Sequence, residues 1–113
     1  MTDRRRIIVP GSGLTVIHPV HVDDLAAEFV GCIRDGFNGT GVKAGLIGEI
    51  GCSWPWTEAE KRSVEAAVLA QRETGAAVSI HPGLSEDSPF LIVDMLRKGG
   101  ADLSRSIICH VER

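Results

Sequence analysis

The sequence has no run near the ~20 consecutive apolar residues of a membrane-spanning helix, so no membrane partner is expected. It also has no strong excess of either charge. Twelve Lys and Arg against 15 Asp and Glu leave −3, which gives no electrostatic reason to expect nucleic acid or an anionic bilayer. Cys32, Cys52 and Cys109 show no CxxC and no paired spacing, so a reduced, cytoplasmic setting is expected. Nucleotide-binding motifs are missing too: Gly11 to Gly13 lacks the third glycine of a dinucleotide fingerprint. Gly39 to Gly45 lacks the Lys-Ser/Thr of a P-loop, and both stretches read as turns. Arg4, Arg5 and Arg6 before Ile7, Ile8 and Val9 imitate a signal peptide. Pro10, Gly11 and Gly13 break that apolar run, and no small-residue cleavage site follows.

What remains is one period repeated. With 113 residues, the chain reads as a single domain, 1–113. Arg6 to Val9 reads as a strand, followed by a loop holding His18 and His21. A helix starts near Asp23 or Asp24, with Leu25, Phe29, Cys32 and Ile33 as its buried stripe. Leu46, Ile47 and Ile50 mark a second strand. Thr57 and Glu60 form a capping box that opens a helix with Val64, Ala67, Val68 and Gln71 on one face and Gly75 at its end. Ala76 to Ile80 is a third strand, stopped by Pro82 and Gly83. Ser88 reads as the cap of the next helix, with Pro89 at its first position and Ile92, Met95 and Leu96 on its apolar face. Ser106 to Cys109 is a fourth strand. About four parallel strands alternating with three helices make an α/β chain, a partial (β/α)8 TIM barrel of about half the usual length.

Three strands end on residues that bind metals. Glu49, His81 and His110 follow one another at roughly the 30-residue spacing of a strand-helix-strand unit. Parallel strands would bring all three to the carboxyl edge, where barrel active sites are built. A carboxylate in a dry segment needs a partner, a proton or a metal. Taken singly, each histidine reads more readily as a hydrogen-bonded core or mouth residue than as a ligand. Trp54 and Trp56 read as lining of a substrate pocket or as packing over the helix start. Cys52 and Cys109 read as inert buried thiols, and His18 and His21 as loop residues.

The strings IGEIGCSWP (Ile47 to Pro55), TEAE (Thr57 to Glu60), IHPG (Ile80 to Gly83) and CHVER (Cys109 to Arg113) resemble the phosphotriesterase-related branch of the amidohydrolase superfamily. The resemblance covers roughly residues 6 to 113. It implies a (β/α)8 barrel that holds two divalent metal ions, usually Zn2+, and hydrolyses an ester, amide or phosphoester of a small molecule through a metal-bridging hydroxide. It implies that Glu49 bridges the metals and that His81 and His110 are ligands of one of them. None of the three would itself attack, so no catalytic residue is assigned.

Departures matter as much. The family's His-x-His pair and late Asp, which serve the other metal, have no counterpart. His18 and His21 are separated by two residues, and Glu112 stands where the family has an aspartate. A chain with this content is expected to be a fragment or truncated form that is weakly active or inactive alone. One uncovered face on the strands of Ile7, Ile47, Val78 and Ile107 would lead to self-association or pairing with a complementing half-barrel. The competing readings are a non-catalytic remnant and a small metal-free α/β binding module.

Overall fold

The computed structural model describes residues 21–112, so the expected strand at Arg6 to Val9 and the loop histidine His18 lie outside the described residues. Among the described residues, helices α1 (Val22–Arg34), α2 (Glu58–Thr74) and α3 (Ser88–Lys98) alternate with strands β1 (Leu46–Gly51), β2 (Ala77–His81) and β3 (Ser106–Ile108). The strands form one parallel sheet in the order β1-β2-β3.

One face of the sheet is packed under helices. Ile47, Val78 and Ile80 meet Val64, Ala67, Val68 and Ala70 of α2 and Ile92 and Leu96 of α3 in a single apolar cluster. Ile80 and Ile92 are fully buried, and each such side chain contributes about 1.5–3 kcal/mol. The stripe Val64, Ala67, Val68, Gln71 follows the helical repeat and is buried throughout. Its polar member is satisfied: Gln71 Oε1 accepts from Asp102 N at 2.9 Å, and Gln71 Nε2 donates to Arg105 O at 3.0 Å. Gln71 therefore ties α2 to the turn that feeds β3, since a buried amide without partners would be costly.

The capping box forms as the sequence dictates. Thr57 Oγ accepts from Glu60 N at 3.2 Å, Glu60 Oε1 accepts from Thr57 N at 3.1 Å, and Gly75 ends α2 with φ 77°. Three local expectations change. The α1 stripe is only half-buried, and the helix's one buried residue, Ala26, lies outside it, although Phe29 and Ile33 do pack against the core. His21 is more than a loop residue, because its Nδ1 accepts from Asp23 N at 3.2 Å and caps α1. Ser88 is the first residue of α3 rather than its cap. Its buried hydroxyl instead accepts from Gly83 N at 2.9 Å, fixing the turn after β2.

Candidate metal centre

The carboxyl ends of the three strands converge. Glu49, His81 and His110 each offer a ligand atom, and these atoms lie within 4.8 Å of one another. His81 Nδ1 is 3.5 Å from Glu49 Oε2, and His110 Nε2 is 3.8 Å from the same oxygen. The two imidazoles meet edge-on, with ring centroids 4.6 Å apart. Two donors bound tetrahedrally to one zinc-sized cation sit roughly 3.4 Å apart, so a cation of that size fits among these side chains. A carboxylate with two imidazoles is also a donor set suited to zinc and its neighbours.

Local backbone features aim each group. In β1, Ile47 pairs with Val78 and Ile50 with Ile80, so β1 carries one residue more than β2 between the two pairs. This bulge leaves both isoleucines on the helix side and turns Glu49 to the other. Gly48 makes it possible: at φ 136°, an added Cβ would run into the Ser79 carbonyl oxygen. His81 closes β2, and its carbonyl accepts from Cys52 N at 2.9 Å. His110 lies just past β3 in the left-handed region at φ 56°, after Cys109 N has donated to Ile80 O at 2.9 Å. A non-glycine residue held there is the kind of local strain that recurs at ligand sites.

The site is open. The side chains of Glu49, His81 and His110 are 45%, 33% and 47% exposed, so Glu49 is not the dry carboxylate its neighbours in sequence suggest. Glu112 Oε1 stands 3.8 Å from His110 Nδ1 on the side away from Glu49. Beneath the cluster, Ser79 Oγ and Cys109 Sγ are 3.0 Å apart, and Cys109 is half-buried. Cys52 is buried, and burial pushes its thiol up to about 11, which keeps it neutral and unreactive near neutral pH.

The tryptophans sit elsewhere. Trp54 and Trp56 line a groove of about 700 Å3 with Lys61, Asp94 and Lys98, which contains none of the three clustered residues. Trp56 packs against the helix-side core, and the Lys61 ammonium is 6.0 Å from its ring centre. A different cleft, of about 650 Å3, adjoins the cluster through His110 and is lined by Pro82, Leu84, Phe90 and Val111. Sequence reasoning missed it. The available signal was Leu84 and Val111, large apolar residues in the loops that immediately follow the histidine strands.

The model of the phosphotriesterase family matches residues 14–113. N-acetyltaurine hydrolase of Xenopus tropicalis is 45% identical over 92 residues, covering 81% of this chain and 26% of that protein. The crystal structure of a phosphotriesterase homology protein from Escherichia coli, complexed with phosphate in its active site, superposes with a TM-score of 0.73 at 36% identity. That match covers 80% of this chain and 31% of the bacterial one. A resiniferatoxin-binding protein from Rhodobacter sphaeroides gives a TM-score of 0.75 at 37% identity, over 80% of this chain and 25% of its own. The chain thus spans less than a third of the length of each of these proteins. The three-stranded sheet with its helices is part of a (β/α)8 barrel.

Proposed function

The chain belongs to the phosphotriesterase family, and from that premise we propose that it carries one half of the metal centre of a small-molecule hydrolase. The observation that supports this most strongly is the meeting of Glu49, His81 and His110 from the ends of three parallel strands. His81 and His110 would hold one divalent cation, and Glu49 would supply the carboxylate that a centre of two cations needs. Bound cations of this kind polarise a scissile carbonyl or phosphoryl oxygen and bring the pKa of a water near neutrality. The protein's part is to fix the three donors. The negative charge of Glu49 offsets the repulsion between two cations. Zn2+ is the metal we assign, on donor chemistry. The reduced cysteines Cys32, Cys52 and Cys109 support a cytoplasmic setting.

Ester, amide and phosphoester bonds all suit such a site. The N-acetyltaurine hydrolase relatives favour an N-acyl amide. The cleft of Leu84, Phe90 and Val111 beside His110 is the place we assign to the apolar part of the substrate. A second cation would need ligands besides these three, so Glu49, His81 and His110 alone are expected to support little or no turnover. A metal titration of the purified chain tests this reading. One Zn2+ per chain is expected, lost in Glu49→Gln and in His110→Ala. Equal binding by wild type and both variants would remove the metal centre.

A further inference from the structure

We propose that Glu60, acting through Ser53, sets the position of His81, which makes this carboxylate a positioning residue of the site as well as a helix cap. A capping box needs only the pair Thr57 and Glu60. Here the same carboxylate also takes both donors of Ser53. Glu60 Oε1 accepts from Ser53 Oγ at 2.6 Å and from Thr57 Oγ at 2.7 Å, while Oε2 accepts from the Ser53 backbone N–H. Hydrogen bonds to charged acceptors are about twice as strong as neutral ones. The segment leaving β1 is therefore fastened to the first turn of α2.

That segment lies against the strand end that bears His81. Next to Ser53, Cys52 N donates to the His81 carbonyl at 2.9 Å. Two residues after His81, Gly83 is pressed against Ser53: an added Cβ would lie 2.6 Å from Ser53 O and 2.7 Å from Ser53 C. Gly83 is in turn held from α3 by the Ser88 hydroxyl. The stretch 81–83 is thus gripped between Ser53 on one side and Ser88 on the other. A shift of Ser53 carries the His81 carbonyl with it, and the imidazole stands 3.5 Å from Glu49 Oε2, where small displacements spoil a shared ion. Burial acts to raise the Glu60 carboxyl, yet the bonds from Ser53 and Thr57 outweigh it and hold the group below its ordinary value. The carboxylate therefore stays charged across the range in which imidazoles bind metal.

The metal readout of this inference rests on the metal-centre reading above, so the test carries a second readout that needs no metal. Ser53→Ala keeps the capping box and cuts the tie to Ser53 Oγ, whereas Thr57→Ala does the reverse. Backbone amide exchange is followed at Cys52, Val64 and Val68 in the metal-free chain, and Co2+ affinity is followed by visible absorption. Ser53→Ala is expected to speed exchange at Cys52 about tenfold and leave Val64 and Val68 unchanged. It is expected to weaken Co2+ binding roughly tenfold, the scale seen when a ligand's supporting group is removed. Thr57→Ala is expected to lower the melting temperature while Co2+ affinity stays within about twofold of wild type. Wild-type exchange at Cys52 in Ser53→Ala overturns the proposal, as does unchanged Co2+ affinity in that variant when the parent binds the ion. A parent chain that binds no Co2+ overturns the metal reading instead, and the Cys52 comparison alone then decides the brace.

Discussion

Val78 and Ile80 are completely buried, whereas Ser79 and His81, alternating with them on β2, face the other side of the sheet. The difference runs across the whole sheet. On the helix side, Ile47, Val78 and Ile80 vanish under α2 and α3. On the other side, Leu46 and Ile107 remain 42% and 49% exposed, and the donors Glu49, His81 and His110 gather at the strand ends. The first face accounts for cohesion through apolar burial. The second contributes little to it and supplies chemistry. Because a strand alternates its side chains, neighbouring residues in one short segment answer to separate demands.

Adjacent residues make the sharpest test. Ile80→Ala should cost about 2–5 kcal/mol in urea unfolding, since it leaves a hole where α2, α3 and the sheet meet. Replacing its neighbour, His81→Ala, should change metal-free unfolding by no more than about 0.5 kcal/mol while abolishing zinc retention on dialysis. Comparable destabilisation by both would mean that the two faces are not separable. The open face can be probed with Leu46→Ser combined with Ile107→Ser. Sedimentation should show less self-association than in the parent chain, with stability altered by less than about 1 kcal/mol. An unchanged sedimentation profile would point to another surface.

The smallest expected effect concerns acid. The folded carboxyl of Glu60 lies below its ordinary value of 4.5, so its stabilising contribution is complete above that pH. It fades as the pH falls through 4.5 toward the depressed folded value. Glu60→Gln should flatten that part of the stability-pH curve, measured by chemical denaturation at several pH values. An identical acid limb in the variant would show that the Ser53 and Thr57 bonds carry no net preference for the charged form.

Signals confined to a few residues were legible in the sequence. The Thr57 to Glu60 box and the Gly75 stop need only neighbours in the chain, and both form as read. The convergence of Glu49, His81 and His110 was also legible, because parallel strands of equal period must end on the same edge. What stayed hidden depends on contacts distant in sequence. Ser88 reads locally as a cap but is used by Gly83 across a turn. The α1 stripe reads as buried, yet Leu25, Phe29, Cys32 and Ile33 are each only half-buried. Trp54 and Trp56 read equally as pocket lining and as packing over the helix start, and only the fold places them beside α2 and α3 rather than at the strand ends.

The bulge at Gly48 and Glu49 has a consequence for how the gene can change. Ile47 and Ile50 are three positions apart, an odd interval that a regular strand would split between its two sides. The extra residue restores their parity. Removing Gly48 would leave Ile47 and Ile50 two positions apart, so a regular strand would keep both on the helix side and lose only the bulge. A one-codon insertion or deletion outside the bulge would instead reverse the sides of the residues on one flank. The bulge is therefore the place where the gene can shorten β1 by one codon without turning its residues over.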